Sequence, residues 1–388
     1  MNAADAIVVG AGVVGSSVAF HLAERGVDTL VLDRDGPAAG STARSGALIR
    51  AHYPTSLEAH LAWESLANYF EPWGERVGGG CGFTRTGFAY LVGEENVEAL
   101  KRNVALQREV GVKTELVGPE ELREIDPALH TAGVALAAYE PGGGYADPAA
   151  TAVGFLRTAQ ELGARFERRR VTGLLQRRGR ILGVRTDGGP LETEAVVLAA
   201  GAWSVPLAES VGLGLPIRPA RVRVALFERP YELPTHLTLI DTTEGFYARP
   251  AAERANLVGS RDSLEWLHSP DEPTPEPDSA FVQEAAQRLG RRIPALADAP
   301  YRSGRSGILD LTPDGRSILG PAEPEGLFLA VGWSGTGFKK APAVGAEVAR
   351  WVTDGAPRRP HLERYDLTRF EEGALIQGEH EYATSAPH

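Results

Sequence analysis

Cysteine is almost absent from this chain of 388 residues, which contains Cys81 and no other. A single cysteine cannot form an intrachain disulfide, and it cannot supply the cysteine clusters that hold structural zinc. This scarcity is typical of proteins from reducing compartments. We predict neither a disulfide framework nor a metal site.

Long apolar runs are also missing from the sequence. No stretch reaches the roughly 18 consecutive apolar residues that a membrane-spanning helix needs. The N-terminal stretch carries Asp5, is interrupted by glycines and has no basic segment, which is typical of a mature protein and not of a signal peptide. We therefore expect a soluble cytoplasmic protein with no membrane partner.

Positive charge is in deficit, since 40 Lys and Arg stand against 51 Asp and Glu and give a formal net charge of −11. Nucleic-acid binding requires clustered basic residues on a basic surface. We interpret the run at residues 168–170, RRR, as a solvated patch, and we predict no nucleic-acid partner. The chain is long enough for two or three domains.

The chain opens with a pattern that is typical of a parallel sheet. Apolar segments at Asp5–Val9 and Asp28–Leu32 flank a helical pattern at Val13–Arg25, which Gly26 ends. This order predicts a strand–helix–strand unit of a doubly wound sheet. Later segments continue the pattern, with strands at Ala195–Ala200 and Gly326–Val331 and a helix at about Ala341–Thr353.

Two stretches of different character interrupt this pattern. Phe83–Val92 alternates like an antiparallel strand, Asn96–Val110 is an amphipathic helix, and residues 215–301 mix alternating strands with a loop at Pro270–Ser279 that we interpret as a surface connection. We predict a discontinuous nucleotide-binding domain with a second domain built from the insertions. The predicted ranges are 1–82, 145–214 and 304–368 for the first domain, 83–144 and 215–303 for the substrate domain, and 369–388 for a loosely held C-terminal tail.

Residues 10–15 are GAGVVG, which matches the G-x-G-x-x-G pattern between a strand and a helix. Gly10 makes the turn, Gly12 lets the backbone approach a pyrophosphate, and Gly15 lets helix and strand pack closely. The helix N-terminus presents free N–H groups to the phosphates. Asp33 is expected to accept hydrogen bonds from ribose hydroxyls, and its charge disfavours the 2′-phosphate of NADP. NAD and FAD both remain open at this point.

A second glycine-rich turn, AVGWSGTGFKK, lies near the end of the chain. Gly332, Gly335 and Gly337 separate a predicted strand from a predicted helix and create another helix N-terminus. A plain NAD dehydrogenase does not need this turn. A flavin does, because negative charge develops at N1 and O2 of its ring on reduction. Lys339 could serve that charge or a substrate carboxylate, and a helix start with two surface lysines is the plainer alternative.

Several motifs in a fixed order carry a family resemblance. They are GAGVVG with Asp33, GSTARSGALIR (Gly40–Arg50), AVVLAAGAWS (Ala195–Ser204), TPDGRSILGP (Thr312–Pro321) and GWSGTGFK (Gly332–Lys339). Together they resemble the FAD-dependent amine and amino-acid oxidoreductases of the sarcosine oxidase, glycine oxidase and D-amino-acid oxidase group. The nearest likeness is to monomeric sarcosine oxidase and to the flavin-bearing β subunit of the heterotetrameric enzyme. The resemblance implies an α/β fold (α+β overall), with a Rossmann-like FAD-binding domain and an inserted antiparallel-sheet substrate domain.

The resemblance also implies which residues contact FAD. The loop Gly40–Arg50 matches one that passes the pyrophosphate and the flavin, Val171 falls beside the adenine, and Gly201 and Trp203 fall where the chain passes the dinucleotide. With the glycine motifs, the expected cofactor-binding set is Gly10, Gly12, Val13, Val14, Gly15, Asp33, Arg34, Ser41, Thr42, Arg44, Ser45, Gly46, Ala47, Leu48, Val171, Ala200, Gly201, Trp203, Gly332, Gly335, Thr336, Gly337, Phe338 and Lys339.

Three residues are implied to be catalytic by the same resemblance. Arg50 and Lys339 match an arginine and a lysine that grip the substrate carboxylate, and a guanidinium fork suits a carboxylate bidentately. Tyr247, in GFYARP, matches an active-site tyrosine, although a core-facing strand tyrosine is the alternative. His52 and Tyr53 could lie near the amine. We predict no general base, because an amine that binds in its neutral form needs none.

The chain departs from the family pattern at the flavin tether and at the oxygen site. Positions of the cysteine and histidine tethers in relatives are taken here by about Gly307 and by Arg44, so FAD is expected to be non-covalent. The lysine that promotes reaction with oxygen in sarcosine oxidase falls near Leu257. Arg261 is close in sequence. A dehydrogenase that uses another electron acceptor is therefore an open alternative.

The sequence thus predicts an FAD-dependent amine or amino-acid oxidase or dehydrogenase. The expected reaction oxidises the C–N bond of a small amino acid or N-alkyl amino acid to an imine, with electrons passing to flavin and then to oxygen. The alternatives are a dehydrogenase with a non-oxygen acceptor and the flavin-bearing subunit of a multi-chain oxidoreductase. Expected partners are the small amine or amino acid and the acceptor, within a homo-oligomer or a multi-subunit complex.

Overall fold

The computed structural model describes residues 3–260 and 263–383 of the chain. In these ranges the strands are β1 Ala6–Val9, β2 Thr29–Asp33, β3 Leu48–Ile49, β4 Thr84–Arg85, β5 Phe88–Val92, β6 Glu115–Val117, β7 Leu136–Glu140, β8 Gly144–Tyr145, β9 Arg165–Arg168, β10 Val171–Arg177, β11 Arg180–Thr186, β12 Gly189–Glu192, β13 Ala195–Leu198, β14 Arg218–Glu228, β15 Thr238–Asp241, β16 Phe246–Pro250, β17 Ala255–Ser260, β18 Glu265–Trp266, β19 Tyr301–Leu311, β20 Ile318–Ala322 and β21 Leu327–Val331.

The α-helices are α1 Val13–Glu24, α2 Ser56–Ser65, α3 Trp73–Arg76, α4 Val97–Val110, α5 Pro119–Ile125, α6 Pro148–Glu161, α7 Ser204–Glu209, α8 Ser279–Arg292 and α9 Gly337–Asp354. Short 3-10 turns lie at Thr42–Arg44, Glu94–Asn96, Gly201–Trp203, Pro294–Leu296, Pro360–Tyr365 and Thr368–Phe370, and a π-helical turn at Leu66–Phe70 follows α2. None of the helices in the described ranges combines the length and the apolar character that crossing a bilayer requires.

The first sheet has the strand order β20-β21-β13-β1-β2-β9. Its strands are parallel except β20, which runs antiparallel to β21. The side chains of β1 are buried on both faces, because alternate residues pack on α1, α6 and α9 and on the meander β10–β12 with α7. The predicted Rossmann-like sheet is confirmed, although its second face carries mainly this meander where a doubly wound sheet would carry helices.

The second large sheet forms the other half of the protein. Its order is β18-β14-β17-β16-β15-β5-β7-β6, with β19 also paired to β14. Its pairs are antiparallel except β15 with β5, which run parallel. Phe246 and Ala248 pack on α8, so Tyr247 and Arg249 face the opposite way, towards the first sheet. The fold class is confirmed, whereas the domain boundaries stay predictions; β19 spans the predicted boundary at residue 304.

Helix α9 begins earlier than the sequence pattern suggests. It starts at Gly337, directly after the glycine-rich turn, and not at about Ala341. Pro342 lies inside the helix, where proline removes one backbone hydrogen bond. The earlier start places Phe338 and Lys339 in the first helical turn.

The C-terminal segment is packed on the body, so the expectation of a loosely held tail is wrong for residues 369–383. The guanidinium Nε of Arg369 donates to Asp314 Oδ2 at 2.8 Å, and both side chains are buried. Ile376 and Tyr382 are also buried. The ion pair and the apolar burial together hold a segment whose regular secondary structure in the described residues is limited to the 3-10 turn at Thr368–Phe370.

Close packing of α1 on α9 yields a stability prediction. A methyl group on Gly345 of α9 would lie 2.9 Å from the carbonyl carbon of Ser17 in α1, which is closer than real contacts allow. We expect Gly345→Ala to lower the free energy of unfolding by about 1–3 kcal/mol. Gly214→Ala, where the added methyl group meets no atom within 4 Å, is the matched control, and chemical denaturation measures both. Equal stabilities for the two variants would contradict the packing.

Candidate cofactor and substrate site

A cavity of about 1010 Å³ lies between the two large sheets. On one side it meets the carboxyl ends of β1, β2 and β13, and on the other the face of the second sheet that carries Val224, Ile240 and Tyr247. The carboxyl edge of a parallel sheet is where α/β folds bind ligands. The volume is at the upper end of the roughly 300–1,000 Å³ that is usual for ligand pockets, so it suits a large cofactor and a substrate together.

The first glycine turn is shaped by close backbone contacts. A methyl group on Gly10 would lie 2.5 Å from the carbonyl oxygen of Ala199, and one on Gly15 would overlap the carbonyl oxygen of Gly10. Gly12 is the N-cap of α1 and has no capping side chain. The hydroxyl of Thr42 accepts the Val13 N–H at 3.1 Å. Gly12, Val13 and Val14 line the cavity, so the N-terminus of α1 adjoins it, and a helix N-terminus suits phosphate oxygens.

The carboxylate of Asp33 is held in place by backbone donors. Its Oδ2 accepts the Ala11 N–H at 2.8 Å, and its Oδ1 accepts the N–H groups of Asp35 and Gly36, both at 2.9 Å. Asp33 lines the cavity at the end of β2. This fixed position fits the expected role of accepting hydrogen bonds from ribose hydroxyls.

The late glycine turn also borders the cavity. Gly332 and Gly335 have φ of +71° and +77°, in the left-handed region where glycine is favoured. Asp310 Oδ2 accepts the Gly332 N–H at 2.8 Å, and its backbone carbonyl accepts the Ser334 N–H at 3.1 Å. Burial raises the pKa of Asp310 to about 6. The turn directs the N-terminus of α9 at the cavity, as the sequence predicted.

Nearly all of the predicted cofactor-binding residues line this cavity. The lining residues are Gly10, Gly12, Val13, Val14, Asp33, Arg34, Ser41, Thr42, Arg44, Ser45, Gly46, Ala47, Leu48, Val171, Ala200, Gly201, Trp203, Gly335, Thr336, Gly337, Phe338 and Lys339. Gly15 and Gly332 do not line it. Gly15 serves the packing of α1 on the turn, and a methyl group on Gly332 would meet the Thr312 side chain at 2.5 Å.

The loop Pro270–Ser279 covers one part of the cavity and does more than connect two elements. Asp271 Oδ1 accepts hydrogen bonds from Trp203 Nε1 at 2.7 Å and from Arg34 at 2.9 Å. The Arg34 guanidinium in turn stacks on the Trp203 ring, 4.6 Å from its centre. Residues 270–274 line the cavity, and so do residues 169 and 170 of the arginine run that we interpreted as a solvated patch.

Two basic side chains, the half-buried Arg50 and the buried Lys339, line the cavity next to each other. Arg50 lies with its guanidinium 4.4 Å from the centre of the Tyr53 ring, and Lys339 Nζ lies 6.0 Å from the same centre. Burial and the neighbouring cations lower the pKa of Lys339 well below its usual value. Within residues 3–260 and 263–383, no carboxylate forms an ion pair with either cation. The predicted pair of cations is thus brought together without an internal counter-ion.

The neighbouring lysine is treated differently by the fold. Lys340 Nζ donates to Glu58 Oε1 at 2.6 Å, and Arg316 pairs with Glu58 Oε2 at 2.9 Å. Glu58 is fully buried, and its carboxylate forms ion pairs with both Lys340 and Arg316. Glu58 therefore pairs with Lys340 and not with Lys339, whose ammonium form an anionic ligand would stabilise.

Tyr247 reaches the cavity because two glycines make room for it. A methyl group on Gly259 would lie 2.5 Å from Tyr247 Cε1, and one on Gly46 would lie 2.9 Å from Cε2. Burial raises the pKa of Tyr247 to about 12. The ring is therefore a protonated, fixed part of the cavity wall, which differs from the core-facing alternative considered from the sequence.

The position that matches the oxygen-activating lysine of sarcosine oxidase holds no cation. Leu257 is fully buried and does not line the cavity, and its cross-strand partner is Arg249. Arg249 donates through Nε to the Gly46 carbonyl, and its guanidinium stacks on Tyr145. Arg261 lies outside the described residues. Arg249 was missed by the sequence reasoning, although its two-residue spacing from Tyr247 could have placed it on the same sheet face.

The one cysteine does not adjoin the cavity. Cys81 is buried elsewhere, and burial raises its pKa to about 11. Gly307 and Arg44, which occupy the tether positions, both line the cavity and carry no group that forms a flavin tether. Non-covalent binding of the cofactor stays a prediction. In the described part of the chain, no cluster of three or more His, Cys, Asp or Glu side chains could hold a metal ion.

A family model described as FAD dependent oxidoreductase (DAO) matches residues 5–351. The chain belongs to this family. The FAD-dependent oxidoreductase domain-containing protein 1 of Bos taurus is 31% identical, over 96% of this chain and 86% of its own length. The 4-methylaminobutanoate oxidase (formaldehyde-forming) of Paenarthrobacter nicotinovorans is 28% identical, over 90% of this chain but 44% of its own length. The crystal structure of L-proline dehydrogenase from P. horikoshii superposes with a TM-score of 0.89, at 30% identity over 96% of this chain and 99% of that one.

The residues of this oxidoreductase fit the cofactor that its family uses. The first turn offers uncapped N–H groups of α1 where a pyrophosphate would lie, and Asp33 is fixed to receive a ribose. Gly12 and Gly335, one in each turn, line the cavity and put no side chain into it. The protein is an FAD-dependent oxidoreductase, and the predicted family, enzyme class and cofactor are confirmed.

The Asp271 contacts give a test of how the loop retains FAD. We expect Asp271→Ala to raise the rate of FAD dissociation about 2- to 5-fold, since exposed ion pairs and their hydrogen bonds contribute roughly 0.2–1 kcal/mol. Flavin fluorescence after rapid dilution of the holoenzyme measures the rate. Glu276→Ala, in the same loop, is the control with the same change of charge. An unchanged rate for Asp271→Ala would show that the loop does not retain the cofactor.

A buried carboxyl group supports the backbone next to Arg50. Glu140 Oε2 accepts the Ala51 N–H at 2.8 Å, while Oε1 has no partner in the described part of the chain. Burial raises the pKa of Glu140 to about 7 from an ordinary 4.5. The unfolded chain therefore ionises this group more easily than the folded one, so the group costs stability as the pH rises from about 4.5 through 7, and the full cost is present above 7.

This linkage gives a prediction with a definite sign. Glu140→Gln keeps an oxygen acceptor for the Ala51 N–H and removes the charge, so we expect it to raise the free energy of unfolding at pH 8 by about 1–3 kcal/mol. The gain should shrink towards zero at pH 4.5 to 5. Chemical denaturation of the holoenzyme at both pH values measures it, with Glu115→Gln on the exposed edge of β6 as control. A loss of stability that is larger at pH 8 than at pH 5 would contradict the assignment.

Proposed function

We propose that this oxidoreductase oxidises the C–N bond of a small amino acid whose carboxylate is bound by Arg50 and Lys339. The observation that carries the proposal is the pair of cavity cations, the half-buried Arg50 and the buried Lys339, with no carboxylate partner in the described part of the chain. Burying an unpaired charge is costly. A bound anion that enters with the substrate removes this cost, and a carboxylate matches the donor fork of Arg50.

The names of the relatives support an N-substituted amino acid. L-proline and 4-methylaminobutanoate, which appear in the names of two relatives, both combine a carboxylate with a secondary amine. We therefore propose an N-alkyl or cyclic amino acid, with sarcosine-like compounds included. When bound, FAD supplies the two-electron acceptor for the C–H bond beside the nitrogen, and the imine product hydrolyses in water.

The protein's own groups bind and orient the substrate and do not need to remove a proton from it. Burial lowers the pKa of His52 to about 3, so its ring is a poor base, and Tyr247 stays protonated up to about pH 12. The excess of positive charge near Arg50 and Lys339 disfavours an ammonium group. The amine therefore binds in its neutral form, with the carboxylate providing the attraction.

Two electron acceptors are compatible with this proposal: oxygen, which would make the protein an oxidase, or another acceptor, which would make it a dehydrogenase. The oxygen-activating lysine of sarcosine oxidase falls near Leu257 in the sequence resemblance, and the absence of a charge on Leu257 favours a dehydrogenase over an oxidase. Oxygen consumption during turnover separates the two, since a dehydrogenase turns over only with an added acceptor. The further alternative is a flavin-bearing subunit of a larger complex, and a purified chain that is active and runs alone on gel filtration would argue against it.

The carboxylate assignment is tested by removing each cation separately. We expect Arg50→Met and Lys339→Met each to raise the Kd of a carboxylate ligand such as acetate about 10- to 100-fold, because charge-assisted hydrogen bonds contribute roughly 1.5–3 kcal/mol each. The visible difference spectrum of bound FAD reports the binding. Lys101→Met, on the exposed face of α4, is the matched control. Unchanged affinities for both cavity variants would contradict the proposal.

A further inference from the structure

We propose that the C-terminal segment Gly378–Ala383 is part of the substrate site, and that Tyr382 is a specificity-determining residue. In this proposal the rings of Tyr382, His52 and Tyr90 form a wall that limits the size of the group attached to the amino-acid carboxylate and favours an uncharged one. The inference rests on the proposed function, because it takes the carboxylate to lie at Arg50 and Lys339.

The segment is held on the body by backbone and side-chain hydrogen bonds. The Glu379 N–H donates to the Pro54 carbonyl at 2.7 Å, and Glu379 Oε1 accepts the N–H and the hydroxyl of Ser56 at 2.8 and 2.7 Å. At the other end, the Ala383 N–H donates to Asn96 Oδ1 at 2.8 Å. Glu379 thereby bonds to the first residue of α2, where a negative charge is favourable. The segment is anchored on both sides of Tyr382.

These anchors place an aromatic ring at the cavity. Tyr382 is buried, and its hydroxyl shares a hydrogen bond of 2.6 Å with His52 Nε2. Its ring centre lies 5.1 Å from that of Tyr90, which in turn stacks on His52 at 4.5 Å with an angle of 25° between the planes. All three residues line the same cavity as the two cations. The C-terminal segment therefore completes a wall that the two sheets alone leave open.

The wall adjoins the cation pair through the chain itself. Arg50 and His52 belong to one extended segment, and the Arg50 guanidinium donates to the His52 carbonyl. A ligand whose carboxylate lies at Arg50 would thus direct its remaining atoms along the rings. Aromatic faces of fixed geometry select by shape, because rings held on several sides cannot move aside for a larger group.

The charges around the wall favour an uncharged group against it. His52 is neutral, because burial lowers its pKa to about 3. Arg316 lies close by and pairs with Glu381 at 3.5 Å, so the carboxylate at the rim is already engaged. A second ammonium group would meet the excess positive charge of the site, and a second carboxylate would lose its hydration against the rings.

The test uses the FAD-loaded enzyme and a series of carboxylates that are not substrates. Acetate, benzoate and 2-naphthoate form a series of increasing size. 4-Methylbenzoate and terephthalate carry an uncharged methyl group and a charged carboxylate, respectively, at the same position of the ring. Flavin difference spectra give each Kd for the wild type, Tyr382→Ala and Tyr382→Phe. Tyr231→Ala, which removes an exposed tyrosine, is the matched control.

We expect the wild type to bind 4-methylbenzoate at least about tenfold more tightly than terephthalate, and to discriminate against 2-naphthoate. Tyr382→Ala should lower the ratio of the 2-naphthoate Kd to the benzoate Kd about tenfold or more, a size effect usual for a pocket wall. Tyr382→Phe and Tyr231→Ala should keep the wild-type ratio. An unchanged ratio in Tyr382→Ala, or a wild type that prefers terephthalate, would overturn the inference.

A second measurement uses the wild type alone, so its result does not depend on whether the Tyr382 variants fold. Benzoate should slow amide hydrogen exchange of residues 378–383 in the wild-type holoenzyme, and exchange that benzoate leaves unchanged would overturn the inference. Failure of the wall is distinct from failure of the cation pair. If acetate binds equally to the wild type, Arg50→Met and Lys339→Met, the proposed function fails, and the inference falls with it. If those two variants bind acetate more weakly, but the ratio of the 2-naphthoate Kd to the benzoate Kd is the same in Tyr382→Ala as in the wild type, only the inference about the wall fails.

Discussion

The packing of α1 on α9 is the constraint on which the site depends. The two helices belong to opposite ends of the chain, yet they lie side by side because Gly345 lets the α9 backbone approach Ser17. The Ser17 hydroxyl donates to the carbonyl of Ala341, the residue before Pro342 in α9, at 2.9 Å. Since each helix follows a strand of the same sheet, their N-termini open at the same edge. One contact thus brings both glycine turns to one cavity.

The charges of the cavity follow from this arrangement. The two helix N-termini, Arg50 and Lys339 all contribute positive potential, while Glu58 compensates only Lys340 and Arg316. Such a site is poorly stabilised until anions enter it. FAD would bring a pyrophosphate to the glycine turn of α1, and an amino acid would bring a carboxylate to Arg50 and Lys339. The anionic groups of the cofactor and of the substrate would thus offset the positive potential of the cavity.

The sequence predicted those features that local patterns specify. The turn at Gly10–Gly15, the carboxylate of Asp33 and the late turn at Gly332–Gly337 are each encoded within a few neighbouring residues. The start of α9 was placed too late, and the packing of the helix on α1 outweighs the loss of the backbone hydrogen bond that Pro342 removes.

Features that depend on distant contacts were not predictable in this way. Tyr382 faces Tyr90 only because two remote segments meet, and no spacing in the sequence relates them. The loop Pro270–Ser279 has the composition of a surface connection, and its contact with Trp203 depends on the fold. The Asp310 carboxylate that holds the late turn likewise comes from another strand. These residues become visible only when the sheets are assembled.

The most direct test of the central claim is an anaerobic titration of the FAD-loaded protein, followed by the visible absorption of its flavin. Sarcosine, L-proline and glycine would each be compared with the amine that lacks the carboxylate, namely dimethylamine, pyrrolidine and methylamine. At least one of the amino acids should bleach the oxidised flavin, and its partner amine should not. Equal bleaching by amino acid and amine, or bleaching by neither, would contradict the account.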